Sequence, residues 1–158
     1  KGRPTTDFAR EGLFNVLNNR VHWQHARVLD LFAGTGAFSL ECFSRGAEQM
    51  LAVDLQPLHV RFMNENFKKF EAHNAHAIKQ DVFKWIPTVS ETFNLIFADP
   101  PYDIPGLVKL PGLILESGIL MPGGVLVVEH GKRTKLSDQP GFIMEKVYSN
   151  VTFSFFEN

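Results

Sequence analysis

Short apolar runs alternate along the chain with amphipathic segments, and that alternation predicts its elements. Ala9, Leu13, Val16 and Leu17 recur at helical spacing behind Thr5-Thr6-Asp7, so residues 5 to 19 read as a capped amphipathic helix. Arg27 to Phe32 is an apolar run ending at Gly34-Thr35-Gly36, the pattern of a buried strand entering a tight turn. Ala37 to Arg45 follows as a helix stopped by Gly46. Met50 to Asp54 reads as a second strand, and Pro57 opens a helix carrying Leu58, Phe62, Met63, Phe67 and Phe70. Ala75 to Lys79 is a third strand, ending before Asp81. Phe93 to Ala98 is a nearly continuous apolar strand that stops at Asp99-Pro100-Pro101-Tyr102. A helix is expected over about 106 to 117, its pattern blurred by Pro111. Gly123-Gly124 leads into a fifth strand, Val125 to Glu129. Phe142 to Tyr148 and Val151 to Phe156, joined by Ser149-Asn150, should pair as an antiparallel hairpin.

Strand and helix alternate five times before the hairpin. The expected fold is therefore α/β, a mostly parallel seven-stranded sheet with helices on both faces and a C-terminal antiparallel hairpin. Such sheets bind ligands at the carboxyl ends of their strands, near the point where strand order reverses. Asp30, Asp54, Asp81 and Asp99 are each expected at the C-terminal end of a strand. Four acids on one edge of one sheet mark that edge as the functional one.

Composition narrows the picture. A chain of 158 residues supports one domain, spanning 1–158, with room for a sizeable core. Its 44% hydrophobic and 21% charged residues fit a globular protein and count against disorder. No apolar run approaches the roughly 20 residues of a membrane span, and no secretory signal is recognisable, so no membrane partner is expected. The single Cys42 excludes an internal disulfide and suits a reducing compartment, so a cytoplasmic location is expected. A net charge of −1 argues against coating of nucleic acid along the whole surface, but not against a local basic patch. Lys132, Arg133 and Lys135 form the densest basic cluster, in the loop after the fifth strand, and Arg3 and Arg10 can extend it. These five are the candidate phosphate contacts. The six histidines include no pair at ligand spacing with a cysteine partner, so no metal site is expected. His130 and Cys42 read as structural residues.

Two motifs carry chemistry. In Val28-Leu29-Asp30-Leu31-Phe32-Ala33-Gly34-Thr35-Gly36, two glycines directly after a strand let the backbone approach a ligand and turn into a helix N-terminus. The third glycine of a dinucleotide fingerprint is replaced by Ser39, which argues against close packing around a pyrophosphate. Asp30 suits a ligand with a cationic reactive end, as the amino group and sulfonium of S-adenosylmethionine are. Asp54, 24 residues later, is placed to accept from ribose hydroxyls, and Asp81 from an adenine amine.

Asp99-Pro100-Pro101-Tyr102 is the sharper motif. An exocyclic base amine is a poor nucleophile because its lone pair is conjugated with the ring. A carboxylate and an outward carbonyl, both accepting from that NH2, favour a pyramidal nitrogen whose lone pair can be aimed. Asp99 and the Pro100 carbonyl can supply those acceptors. The paired prolines fix φ and remove two backbone donors. Tyr102 offers a ring for a flipped-out base, a contact typically worth about 1–3 kcal/mol.

Asp-Pro-Pro-Tyr after a strand resembles the signature of amino-directed class I methyltransferases. More narrowly, Arg3-Pro4-Thr5-Thr6-Asp7, Glu11-Gly12-Leu13-Phe14-Asn15, Leu29 to Ala37, Ser44-Arg45-Gly46-Ala47 and Phe97 to Tyr102 look like the RsmD-type 16S ribosomal RNA guanine-N2 methyltransferases. The resemblance covers essentially the whole chain, including Tyr148 to Phe156. It implies a Rossmann-like class I fold, S-adenosyl-L-methionine as cofactor, and 16S rRNA or the small ribosomal subunit as partner. It also implies site residues. Asp30, Phe32, Ala33, Gly34, Thr35 and Gly36 would hold the methionine part of the cofactor. Asp54 and Leu55 would hold the ribose, and Asp81 with Val82 the adenine. Thr5, Thr6 and Asn15 would line the mouth, and Asp99, Pro100, Pro101 and Tyr102 would grip the guanine. That family usually begins with a basic hairpin, expected to be missing here because the chain starts just before Arg3-Pro4. Adenine-N6 methylation of DNA or RNA, glutamine methylation of a protein, and a non-catalytic cofactor-binding module are the alternatives.

Overall fold

A computed structural model describes residues 6–158. Thr6 caps the first helix, α1 (Asp7–Asn18), its hydroxyl oxygen accepting from the Ala9 N–H at 3.1 Å. Ala9, Leu13, Phe14 and Leu17 form its buried stripe. The chain then lays down β1 (Arg27–Leu31), α2 (Ala37–Ser44), β2 (Gln49–Asp54), α3 (Pro57–Lys69), β3 (Ala75–Lys79), α4 (Val82–Trp85), β4 (Phe93–Ala98), α5 (Leu110–Glu116), β5 (Leu120–His130), β6 (Phe142–Tyr148) and β7 (Val151–Phe156). The seven strands form one sheet in the order β3-β2-β1-β4-β5-β7-β6. The first five run parallel, and β7 pairs antiparallel with both β5 and β6. This is the expected doubly covered sheet. Strand order reverses between β1 and β4, so the crevice for a ligand lies between their carboxyl ends.

Alternation along the strands sorts the core into two layers. Val28, Leu95, Phe97, Val125 and Val127 pack toward α1, α2 and α3, with the Phe97 ring stacked on Phe38 at 4.0 Å. Leu29, Leu31, Ile96, Ala98, Leu126 and Val128 face α4 and α5. By the same two-residue period Asp30, Asp99 and Glu129 fall on the α1 side.

Three elements differ from the sequence reading. The helix expected over 106 to 117 is a 3-10 turn, Leu107–Lys109, followed by α5, in which Pro111 occupies the first turn. Proline is accommodated there because its missing N–H would have had no helical partner. The fifth strand starts at Leu120 rather than Val125, because Gly123 and Gly124 carry an irregularity within it and do not form a turn before it. A side chain at Gly124 would put its Cβ 2.7 Å from the Asn94 carbonyl. The short helix α4 after Asp81 has no counterpart in the sequence reading. Thr5 and Arg3 lie outside the described residues.

Candidate active site at the carboxyl rim

The turn after β1 is held by hydrogen bonds from its neighbour β2. Phe32 adopts φ 57 and Gly34 φ 59, and Gly36 caps α2 at φ 80. A left-handed phenylalanine is unusual and costs conformational energy, so the surrounding bonds must hold it. The Ala33 N–H donates to the Val53 carbonyl at 3.0 Å, and the Gly34 N–H to Asp54 Oδ2 at 2.8 Å. Asp54 Oδ1 accepts from the Gln56 N–H at 2.9 Å and lies 3.0 Å from His59 Nδ1. Gly36 is close-packed: a Cβ there would meet Met63 Cγ at 2.8 Å. Thr35 is exposed, as is Leu55 beyond Asp54.

Asp30 sits one residue inside β1, not at its end, and is 1% exposed. Its Oδ2 accepts from the Ser39 hydroxyl at 2.7 Å. The serine standing where a dinucleotide fold has glycine thus anchors this carboxylate beneath the turn. Burial, with Asp30 adding to it, pushes the nearby Cys42 thiol well above its ordinary range, so it stays protonated and unreactive.

Asp81 caps α4, its Oδ1 accepting from the Phe83 N–H at 3.1 Å. Phe83 meets Phe32 edge-on at 6.2 Å, which joins the Asp81 loop to the glycine turn. Val82 is buried beneath them.

On β4, the Asp99 N–H donates to the Leu31 carbonyl at 3.2 Å, extending the β1–β4 pairing one step past Ala98. The acid motif and the glycine turn therefore leave neighbouring strands side by side. Asp99 is half-buried, Pro100 buried, and the Pro101 carbonyl accepts from the Ile104 N–H at 3.1 Å. Among the described residues no backbone N–H is spent on the Pro100 carbonyl. The Tyr102 ring covers Gly131, where a Cβ would come within 3.2 Å of it. A cleft of about 410 Å³ opens beside Tyr102, walled by Ile104, Leu107, Val108, Lys109 and Thr134.

Lys132 and Arg133 are exposed in the loop after β5, on this same rim, and Lys135 pairs with Asp138 at 3.5 Å. Arg10 lies one turn along α1 from Thr6, in the part of that helix where Phe8 meets Tyr148 edge-on, next to the carboxyl end of β5. Asn15 does not join them. It is exposed nine residues along α1 from Thr6, about 13 Å by helical rise, on the half of the helix whose Asn18 accepts from Arg45 at the far end of α2. His130 is buried, with Nδ1 2.9 Å from the Gly131 carbonyl and Nε2 2.7 Å from Ser154 Oγ. That pairing suits a neutral ring whose Nδ1–H donates to the carbonyl while the serine hydroxyl donates to Nε2. Burial lowers its pKa from the ordinary histidine value.

Sequence reasoning missed two partners of the site. His59 braces Asp54, and Glu129 stands 1% exposed on β5 beside Asp99. The second had a readable signal: one acid closing an otherwise apolar strand.

The sheet order, with helices on both faces and an antiparallel C-terminal pair, defines the class I methyltransferase fold. The chain belongs to the family described as Conserved hypothetical protein 95, which matches residues 1–157. It is 33% identical over 101 residues to the ribosomal RNA small subunit methyltransferase D of Buchnera aphidicola subsp. Baizongia pistaciae, covering 63% of this chain and 50% of that protein. The Escherichia coli K12 protein of the same name is 33% identical over 100 residues, with coverage of 63% and 50%. The chain thus spans about half the length of these curated relatives. A solved hypothetical protein of a Thermus species superposes with a TM-score of 0.86 at 31% identity, covering 100% of this chain and 90% of the other.

Proposed function

We propose that this chain transfers the methyl group of S-adenosyl-L-methionine to the exocyclic N2 amine of a guanine in 16S ribosomal RNA, within the bacterial cytoplasm. The observation that carries the reading is the Asp99 N–H to Leu31 carbonyl bond, which sets the acceptor motif against the glycine turn. The names of the relatives, ribosomal RNA small subunit methyltransferase D, support the substrate class.

The residues present fit the cofactor. Gly34 and Gly36, both left-handed, turn the backbone tightly into α2, and Asp30 is a carboxylate shielded from water beneath that turn. A carboxylate has about four acceptor positions. Three on Asp54 meet Gly34, Gln56 and His59, which leaves one for a ribose hydroxyl. Phe32, Ala33, Thr35 and Thr6 border the methionine end, and Leu55, Asp81 and Val82 the adenosine end. When bound, S-adenosylmethionine supplies a methyl group made electrophilic by its sulfonium.

The protein's own part is positioning. Asp99 and the Pro100 carbonyl each accept one hydrogen of the base amine. That grip turns the nitrogen lone pair out of conjugation and toward the glycine turn. Pro100 and Pro101 keep the acceptors fixed, so no reorganisation is needed as positive charge develops on nitrogen, and the Asp99 carboxylate stabilises that charge. Tyr102, braced on Gly131, stacks against the flipped base. Lys132 and Arg133, with Arg10 and Lys135 at the margin, hold the phosphates of the strand that enters along the cleft.

The test is transfer of labelled methyl to small ribosomal subunits that lack the modification, followed by nucleoside identification. N2-methylguanosine is expected. N6-methyladenosine would move the assignment to the adenine alternative. Tight cofactor binding without transfer to RNA or protein would leave a binding module.

A further inference from the structure

The buried acid next to Asp99 has no part in the scheme above. Leu95 to Ala98 of β4 pair in register with Val125 to Val128 of β5, so the next position on each strand is Asp99 and Glu129. Adjacent strands lie about 4.8 Å apart, and residues in register point to the same face. Two carboxylates therefore stand side by side on the α1 face of the rim, Asp99 half-buried and Glu129 1% exposed. The Tyr102 ring rests on Gly131, two residues beyond Glu129. A base lying against that ring with its amine at Asp99 can turn N1, the ring atom beside the amine, toward β5.

The purines differ at that atom. Next to the 2-amino group, guanine carries N1–H, a donor, so its edge presents two donors in a row. Next to the 6-amino group, adenine carries a bare N1 whose lone pair would face a carboxylate. We propose that Glu129 accepts the N1–H of the target guanine and is the residue that makes the site guanine-specific. It rests on the methyltransferase reading and specifies which purine that site takes. Seclusion from water sharpens the discrimination, because a mismatched acceptor pair has no solvent to intervene. Glu129 acts on the ring while Asp99 acts on the amine, so removing one leaves the other's role intact.

The experiment compares a small-subunit rRNA fragment carrying guanine at the methylated position with the same fragment carrying 2-aminopurine. That analogue keeps the 2-amino group but has a bare N1. The wild-type protein should favour guanine in kcat/KM by at least about tenfold. In Glu129→Gln, whose amide can donate to a bare N1, that preference should shrink about tenfold or invert, with cofactor affinity unchanged. A purely structural role for Glu129 would lower both rates alike and leave their ratio where it was, which would overturn the proposal. So would a wild-type protein indifferent to the two fragments. Should Glu129→Gln fail to fold, Glu129→Asp carries the test: its withdrawn carboxylate should lose rate on guanine and not on 2-aminopurine, and equal loss on both again refutes the assignment. Absence of any N2-methylguanosine from the wild-type protein would instead remove the methyltransferase reading beneath it.

Discussion

The two halves of the rim are made rigid by different means. On the β1–β2 side, noncovalent bonds do it: Asp54 ties Gly34, Gln56 and His59 together, and Ser39 fixes Asp30. On the β4–β5 side, covalent geometry does it: two proline rings freeze the acceptor loop, and one backbone bond from Asp99 locates it. The difference suits the roles proposed for the two halves. A cofactor with hydroxyls, an amine and a carboxylate needs donors and acceptors spread over a surface. A base amine needs two acceptors only, and proline supplies a carbonyl without a competing N–H. Damage should therefore propagate differently, mainly through stability on the first side and mainly through chemistry on the second.

Breaking the second half should have the largest effect. Asp99→Ala is expected to lower the methyl-transfer rate by about 10³-fold or more, while calorimetric affinity for S-adenosylmethionine stays within a fewfold. Parallel loss of both would erase the division between the halves. Asp54→Ala should do the reverse, weakening cofactor binding at least about tenfold and leaving the buried Gly34 N–H without its acceptor. That second effect costs about 1–3 kcal/mol, read as a fall in Tm of roughly 3–10 °C. A variant as stable as the parent would show that the turn does not depend on Asp54.

Smaller changes sharpen the contrast. The double variant Lys132→Ala, Arg133→Ala should raise KM for RNA about 3–10-fold and flatten its salt dependence, with kcat and cofactor affinity kept. An unchanged salt slope would take those side chains off the RNA path. The smallest effect concerns His130, whose pKa burial lowers in the folded protein. An unfolded histidine takes up a proton near pH 6.5, so the unfolded state binds more protons below that value. Stability is then complete above pH 6.5 and is lost as pH falls toward the lower folded value. Thermal melts from pH 7.5 to 5 should show a steeper decline for the parent than for His130→Gln. Matching slopes would mean that this ring does not contribute.

Much of this was legible in the chain. Alternation of apolar strands with helices, unbroken except before β4, forecast the doubly covered sheet, and the hairpin at Ser149-Asn150 fell where its turn residues put it. Pro111 and Gly123-Gly124 misled because proline and glycine punctuate chains in more than one way: here one begins a helix and the others bend a strand without ending it. Asp30, Asp54, Asp81 and Asp99 could be found because acids after apolar runs stand out. Asn15 was carried by likeness to a family block, and sequence spacing cannot tell which end of a helix faces the rim. Glu129 could be noticed as an acid in an apolar strand, but its place beside Asp99, 30 positions earlier, follows only from the register.

The pairing of Leu31 with Ala98 joins positions 67 residues apart. As the chain leaves the ribosome, the glycine turn is synthesised well before the strand that completes its other flank. Until β4 arrives, β1 keeps an open edge, and the loop from Asp99 to Tyr102 has nothing to hang from. The second flank of the glycine turn and the anchoring of the Asp99 loop are thus completed by one long-range docking event. Under the proposed function, folding would then keep a half-built site from being loaded before it can be aimed.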